Sequence, residues 1–129
     1  LCAAVADFRP EYAANQKIKR EGGGHDEGMT LHLVPNPDIA AALGRMKRKG
    51  QVLVGFALET NDEQANAQRK LEKKNLDFIV LNSLQNEGTC FRSDENQVSI
   101  ISRSGQQNYE RKPKQEVAAD IIDQLSLLL

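Results

Sequence analysis

The 129-residue chain contains only two cysteines, Cys2 and Cys90, and no tryptophan. Two cysteines are too few for a disulfide framework, and their separation does not match the ligand spacing of a metal site. A secretory signal peptide and an apolar run long enough to cross a membrane are also missing. These absences predict a soluble protein of a reducing compartment, the cytoplasm, that does not act on membranes.

An excess of charge of either sign is absent as well. The chain has 17 Lys and Arg residues against 18 Asp and Glu residues, a net charge of -1 at pH 7. Because nucleic-acid-binding domains usually carry a clear basic excess, nucleic acid is not an expected partner. The sequence also lacks the Gly-x-Gly-x-x-Gly fingerprint, a P-loop, and any Ser/His/Asp or Cys/His combination that would indicate a nucleophilic active site.

The sequence does contain apolar segments that alternate with polar ones. Strands are predicted over 1–6, 29–35, 51–60 and 76–83, helices over 36–50, 61–75 and 114–129, and a hairpin over 97–113. This order predicts an α/β fold, with a mainly parallel sheet, helices on both faces and an antiparallel hairpin extension. A strand that begins at Leu1 further predicts that an N-terminal part of the fold is missing from this chain.

Two local patterns refine this prediction. Asn36 suits the N-cap of the first helix, Pro37 suits its first turn, and Gly50 suits its end. The polar segment 9–28 is long for a loop in a compact domain, and loops of this length are often functional. It contains Lys17 followed by three consecutive glycines at 22–24, which is typical of a loop that closes over a ligand.

Candidate ligand-binding residues follow the predicted strands, because open α/β sheets bind ligands beyond the carboxyl ends of their strands. They lie in the segments 7–9, 56–60 and 82–83. Lys70 and Lys74 lie one helical turn apart, and such a pair can hold two phosphates. Together these residues predict a ligand that contains phosphate. The alternative is that the lysines form an ordinary solvated helix face.

Three further features fit such a ligand. Phe56 follows Gly55, so a flat group could approach the backbone and stack on the ring. The helix start at 36–38 offers backbone N–H groups to an anion or to the polar edge of a base. Asp7 could orient a ribose or hold Mg²⁺.

Six motifs occur in the order AAVADFRP, KIKR, NPDI, VGFALET, KLEKKNLD and FRSDEN. This set resembles the phosphopantothenoylcysteine synthetase (phosphopantothenate–cysteine ligase) family over nearly the whole chain. The resemblance implies a Rossmann-like homodimer, in which residues 1–129 form the C-terminal portion of a single CTP-binding synthetase domain with a flap at about 9–28. In the bifunctional coenzyme A biosynthesis protein, FMN belongs only to a separate decarboxylase domain.

The resemblance also implies a reaction. CTP, with Mg²⁺, activates the carboxylate of 4′-phosphopantothenate as an acyl-cytidylate, and the amine of cysteine then displaces CMP. Lys17 is implied as the catalytic residue on the flap, and Asp7 as a possible Mg²⁺ ligand. The implied CTP contacts are Cys2, Ala3, Asp7, Lys17, Pro37, Asp38, Ile39, Ala40, Phe56, Lys70 and Lys74.

The family's glycine-rich phosphate loop would precede Leu1, so the resemblance implies that this chain alone is not fully active. A second hypothesis from the sequence is a non-catalytic α/β nucleotide-binding or interaction module, in which the basic face contacts a partner.

Overall fold

The computed structural model describes residues 5–18, 28–59, 62–83 and 93–129. The chain divides into two compact units, one that ends at Asp38 and one that contains Ile39–Leu129. The first unit contains two strands, β1 (Phe8–Pro10) and β2 (Leu33–Pro35). The elements of the second unit are α1 (Ile39–Met46), β3 (Val54–Glu59), α2 (Glu63–Lys73), β4 (Phe78–Ser83), β5 (Glu95–Asn96), β6 (Val98–Ser102), β7 (Gly105–Asn108), β8 (Lys112–Pro113) and α3 (Lys114–Ser126).

The first unit is built on the antiparallel pairing of β1 with β2, in which Phe8 lies opposite Pro35 and Pro10 opposite Leu33. The strand predicted over 1–6 lies largely outside the described residues, and positions 5 and 6 are not in a strand. The strand predicted over 29–35 is present only at its end, as β2.

The helix predicted over 36–50 is shorter at both ends, because α1 spans Ile39–Met46. Asn36 does not precede the helix as its N-cap. Its side chain instead donates a hydrogen bond to the carbonyl of Ala6 at 2.7 Å and accepts one from Arg9 Nη1 at 3.0 Å. The prediction was therefore correct in element type, and it was wrong about the N-cap because long-range partners occupy the Asn36 side chain.

The second unit contains a four-stranded mixed sheet in the order β3-β4-β6-β7. β3 and β4 are parallel, and their carboxyl ends coincide because Glu59 lies opposite Ser83. β6 pairs antiparallel with both β4 and β7. The α/β class and the antiparallel hairpin extension are confirmed, and one of the three strand pairs in this sheet is parallel.

Helices cover both faces of this sheet, as predicted. Successive side chains of a strand point to opposite faces, and apolar side chains of the sheet are buried on both. One core cluster joins α2 to the sheet, and its buried members are Ala57, Ala67, Leu71, Leu76, Ile79, Leu81 and Ile101. The other joins α3 to the opposite face, and its buried members are Phe78, Val80, Val98, Ile100 and Val117. None of the described helices is long and apolar enough to cross a lipid bilayer.

The amino ends of β3 and β4 are fixed by Asp77. Its carboxylate accepts hydrogen bonds from Lys47 Nζ, at 2.9 and 3.0 Å, and from the backbone N–H of Leu53 at 2.6 Å. The neighbouring Asn75 donates to the carbonyl of Gly44 at 2.9 Å. These contacts hold α1 against the loop that joins α2 to β4.

Candidate functional site

In the first unit, Asn36 brings Asp7 beside the segment that begins at Pro37. The backbone N–H of Asn36 donates to the carbonyl of Asp7 at 2.8 Å. Arg9 Nη1 donates to Pro35 O and to Asn36 Oδ1, each at 3.0 Å. As a result, two groups that sequence reasoning assigned to one nucleotide, Asp7 and Pro37, lie at the same end of the β1–β2 ladder. Asp7 directly precedes β1, and the two described residues before it, 5 and 6, are not in a strand.

Lys17 lies in the segment 11–18, which has no regular secondary structure, and its side chain is exposed. The three glycines at 22–24, which were expected to allow this lysine to move, lie outside the described residues. The predicted CTP contacts Cys2 and Ala3 also lie outside them. Their roles, like that of Lys17, stay predictions.

In the second unit, the carboxyl edge, defined here as the ends of β3 and β4 at Glu59 and Ser83, carries a charged pair. Lys70 Nζ forms an ion pair with Glu59 Oε1. The Glu59 side chain is only 13% exposed, whereas that of Lys70 is 44% exposed. Because Lys70 reaches back from α2 to this edge, it places a cation where α/β sheets bind ligands.

Asn66 supports this pair from the same helix. Its Nδ2 lies 3.4 Å from Glu59 Oε2, and its Oδ1 accepts a hydrogen bond from Arg69. Asn66 and Lys70 are four residues apart, so both lie on the helix face that meets the end of β3. Sequence reasoning included Glu59 among the strand-end residues 56–60 but assigned it no role. The spacing of Asn66 and Lys70 was the available signal.

Lys74 differs from Lys70 in its surroundings. Helix α2 ends at Lys73, and Lys74 occupies the C-cap with φ -99°. A Cβ atom added at Gly44 would lie 1.9 Å from the Lys74 carbonyl oxygen, so α1 approaches this backbone closely. Lys70 thus contacts the carboxyl edge, whereas Lys74 stands where α1 meets the end of α2.

The ring of Phe56 is 52% exposed, on the sheet face opposite to α2. It could therefore flank a planar group. The neighbouring Gly55 was expected to let a flat group approach the backbone. In the structure, a Cβ at Gly55 would lie 2.8 Å from Leu76 Cδ1, so this glycine leaves room for a buried leucine. The absence of a Cβ at Gly55 thus favours packing of the core, and the approach of a ligand to this backbone stays a prediction.

The remaining predicted contacts belong to the start of α1 and to the residue before it. Asp38 and Ile39 are exposed, and Ala40 is half-buried. Ile39 is the first helical residue, so the predicted ligand-binding helix start lies here and not at 36–38.

The chain's fit to Mg²⁺ depends on Asp7. Among the described residues, no group of three His, Cys, Asp or Glu side chains could hold a metal ion. Asp7 is a single exposed carboxylate. Because Mg²⁺ is commonly held by one or two carboxylates together with substrate phosphates, Asp7 fits this ion only as a partner of a nucleotide's phosphates.

Two side chains with raised pKa values lie away from the carboxyl edge, where β8 meets α3. Burial raises the pKa of Tyr109, and the Asp120 carboxylate raises it further. A hydrogen bond to Asp120 raises the pKa of Lys112, whose Nζ lies 5.2 Å from the centre of the Tyr109 ring. This cluster joins the hairpin to α3, and sequence reasoning did not identify it.

A family model described as the DNA/pantothenate metabolism flavoprotein C-terminal domain matches residues 1–128. The chain belongs to this family. It is 52% identical over 130 residues to a protein of an unknown prokaryotic organism that is named cysteine/cysteine sulfinic acid decarboxylase. This match covers 100% of this chain and 35% of that protein. It is 38% identical over 128 residues to the coenzyme A biosynthesis bifunctional protein CoaBC of Vibrio vulnificus (strain YJ016), with 99% and 31% covered. The chain spans about a third of the length of these relatives.

Solved structures share the fold of this chain. The chain resembles the crystal structure of the C-terminal domain of CoaBC with a TM-score of 0.71 and 31% identity, over 98% of this chain and 51% of that one. A variant of the protein Cab2, in complex with phosphopantothenate-cysteine, shares the fold with a TM-score of 0.61 and 18% identity, over 81% of this chain and 35% of that one.

Proposed function

We propose that this chain is part of a phosphopantothenate–cysteine ligase of coenzyme A biosynthesis that uses CTP as co-substrate. The observation that carries the proposal is the family match over residues 1–128, together with relatives named for coenzyme A biosynthesis. The Cab2 complex, which holds phosphopantothenate-cysteine, supports the same substrate class. The six motifs quoted above support CTP as the nucleotide.

In the proposed first step, a carboxylate oxygen of 4′-phosphopantothenate attacks the α-phosphorus of CTP, and pyrophosphate leaves. In the second step, the nitrogen of cysteine attacks the acyl carbon, its proton goes to solvent, and CMP leaves with the electrons of the broken C–O bond. Both steps need cations near phosphate oxygens and little covalent help from the protein. Lys70, at the carboxyl edge, supplies one such cation, and Lys74 is proposed as a second.

The other predicted residues receive matching roles in this proposal. Asp7 contacts the ribose or a Mg²⁺ ion that the phosphates carry, and Cys2 and Ala3 contact the nucleotide. Backbone groups from Pro37 to Ala40 contact the cytosine, and the Phe56 ring flanks this base. Lys17 on the flap stabilises the departing CMP in the second step, so its loss should slow turnover of the acyl-cytidylate.

We propose further that the protein is a cytoplasmic homodimer. Support comes from the first unit, whose large apolar side chains are mostly exposed: Val5, Phe8, Tyr12, Ile18, Met29, Leu31 and Leu33. Exposed apolar surface on this scale is typical of protein interfaces. Sedimentation of the full-length protein at twice its chain mass would support the dimer, and a monomer at micromolar concentration would contradict it.

The proposed function is tested in the full-length protein. CMP and pyrophosphate formed from CTP, 4′-phosphopantothenate and cysteine are measured for wild type, Lys17→Gln and Lys73→Gln. We expect Lys17→Gln to reduce ligation about 100-fold or more, the usual cost of losing one electrostatic contact to a transition state, while acyl-cytidylate accumulates. Lys73→Gln removes an exposed lysine outside the predicted site and should retain activity. Equal use of ATP and CTP by the wild type would refute the proposed nucleotide.

A second candidate rests on the relative named cysteine/cysteine sulfinic acid decarboxylase. Since this chain covers 35% of that protein, the named activity could belong to another part of it. Release of CO₂ from cysteine or cysteine sulfinate without CTP, and no ligation, would favour this candidate.

A non-catalytic module is distinguished by nucleotide binding, because a ligand that binds only the native state raises its stability by about 2.7 kcal/mol at 100 times its Kd. The absence of any thermal shift with CTP, together with the absence of ligation, would favour an interaction module.

A further inference from the structure

The Glu59–Lys70 ion pair occupies the place where the proposed function puts the nucleotide's phosphates. The carboxylate is the fixed member: it ends β3 and its side chain is 13% exposed. Asn66 Nδ2 approaches its second oxygen at 3.4 Å. The ammonium is the movable member, because it ends a flexible four-carbon chain that is 44% exposed.

An ion pair of this kind is not needed to hold α2 on the sheet. The residues that follow Asn66 and Lys70 in the helix, Ala67 and Leu71, are fully buried against the sheet. Their burial fixes the helix by apolar packing, whereas a partly exposed ion pair contributes little to stability. The pair therefore calls for a second explanation.

We propose that Glu59 competes with the phosphates of the bound nucleotide for Lys70, and thereby limits the affinity for CTP and eases the release of pyrophosphate. This inference rests on the proposed function. Before the ligand binds, Glu59 keeps the ammonium at the carboxyl edge. When phosphate oxygens arrive, Lys70 turns toward them, and the nearby negative charge of Glu59 opposes tight retention of the product.

The expected change in pyrophosphate affinity can be estimated from the influence that one charge has on a neighbouring ionisable group. A charge within about 4–6 Å changes the ionisation equilibrium of a neighbouring group by about ten- to a thousandfold. Because Lys70 is partly exposed, water screens the interaction, and the lower end of this range applies. Removal of the charge at Glu59 should therefore tighten the binding of pyrophosphate by about tenfold.

The experiment measures Kd values for pyrophosphate and CTP by calorimetry, and KM for CTP, in the full-length protein at fixed ionic strength. The variants are Glu59→Gln, Lys70→Met and the double variant, with Glu72→Gln as the control. Glu72 lies on the same helix and accepts a hydrogen bond from Gln68 at 3.0 Å, so its substitution removes an equal charge elsewhere. Glu59→Gln should tighten pyrophosphate about tenfold and lower KM for CTP. Glu72→Gln should change both by less than about twofold, as expected for a solvated charge.

The double variant decides whether Glu59 acts through Lys70, because the effects of coupled residues do not add. In the Lys70→Met background, Glu59→Gln should change affinity by less than about threefold, as expected when the shared partner is gone. Weaker binding in Glu59→Gln, or an equal gain in both backgrounds, would overturn the inference. Glu59→Asn serves if the glutamine variant does not fold. Failure of the proposed function looks different, because the wild type would then neither bind CTP nor ligate.

Discussion

Gly44→Ala is expected to destabilise the second unit, against the intrinsic preference of helices for alanine. Gly44 lies inside α1 and is its only buried residue. An added Cβ would lie 1.9 Å from the carbonyl oxygen of Lys74 and 2.8 Å from its carbonyl carbon. Both are backbone atoms, so the clash cannot be relieved by turning a side chain. Helix α1 would have to move away from the end of α2.

Two contributions of opposite sign determine the magnitude. Alanine in a helix interior is favoured over glycine by about 1 kcal/mol. Overpacking of a tight contact costs about 1–3 kcal/mol and more when the backbone must shift. Movement of α1 would also lengthen the hydrogen bonds of Asn75 to Gly44 and of Lys47 to Asp77, each of which contributes about 1 kcal/mol or more. The net loss should be about 2–3 kcal/mol.

Urea unfolding of the chain followed by circular dichroism measures this loss. The midpoint should fall for Gly44→Ala at an unchanged slope. Gly28→Ala is the matched control, since an added Cβ there meets nothing within 4 Å and its φ is not in the left-handed region. That control should be neutral or more stable by up to about 1 kcal/mol. If Gly44→Ala were as stable as the control, the close approach of α1 to Lys74 would not exist in solution.

Three further expectations concern the core, the amino ends of β3 and β4, and the cluster around Tyr109. Leu71→Ala should lower the free energy of unfolding by about 2–5 kcal/mol, because Leu71 is fully buried, and chemical denaturation with Val117→Ala for comparison would show whether that holds. Asp77→Ala should cost about 2 kcal/mol by removing the acceptor of Lys47 and Leu53, whereas Asp77→Asn should cost less because an acceptor remains; an equal loss in both would contradict this. In a Tyr12→Phe background the absorbance of Tyr109 can be titrated alone, since the chain has 2 tyrosines. Asp120→Asn should lower the pKa of Tyr109, while the remaining rise comes from burial and from the Asp123 carboxylate. Because its folded pKa is raised, the neutral Tyr109 phenol contributes to the stability of the folded state. This contribution is fully present below the unfolded pKa of about 10 and is lost as pH rises through the raised folded pKa.

The fold of the second unit could be predicted where the sequence pattern is local. Continuous apolar runs predicted β3 and β4, since each strand residue from 78 to 81 is buried on one face or the other. The alternation around Ile100 and the turn before Gly105 predicted the hairpin. These patterns report burial directly, and no distant partner has to be known.

Prediction was wrong where a polar side chain has a distant partner. Asn36 fits an N-cap by its local sequence, but Arg9 and Ala6, 27 and 30 residues away, occupy its side chain. Glu59 and Lys70 are 11 residues apart across a strand-to-helix connection, so no fixed helical or strand spacing relates them. Such pairings depend on tertiary structure, which periodicity does not specify.

The candidate site and the core are linked by α2. Lys70 is adjacent to Leu71 and Asn66 to Ala67, and both apolar partners are fully buried. Because successive residues of a helix are separated by about 100°, the burial of 67 and 71 fixes the direction of 66 and 70 toward the end of β3. A helix with a narrow apolar stripe can therefore direct a cation toward the carboxyl edge, where the carboxylate of Glu59 then holds it. It follows that loss of packing at Leu71 should weaken phosphate binding as well as stability, whereas an equal loss on the α3 face at Val117 should lower stability alone.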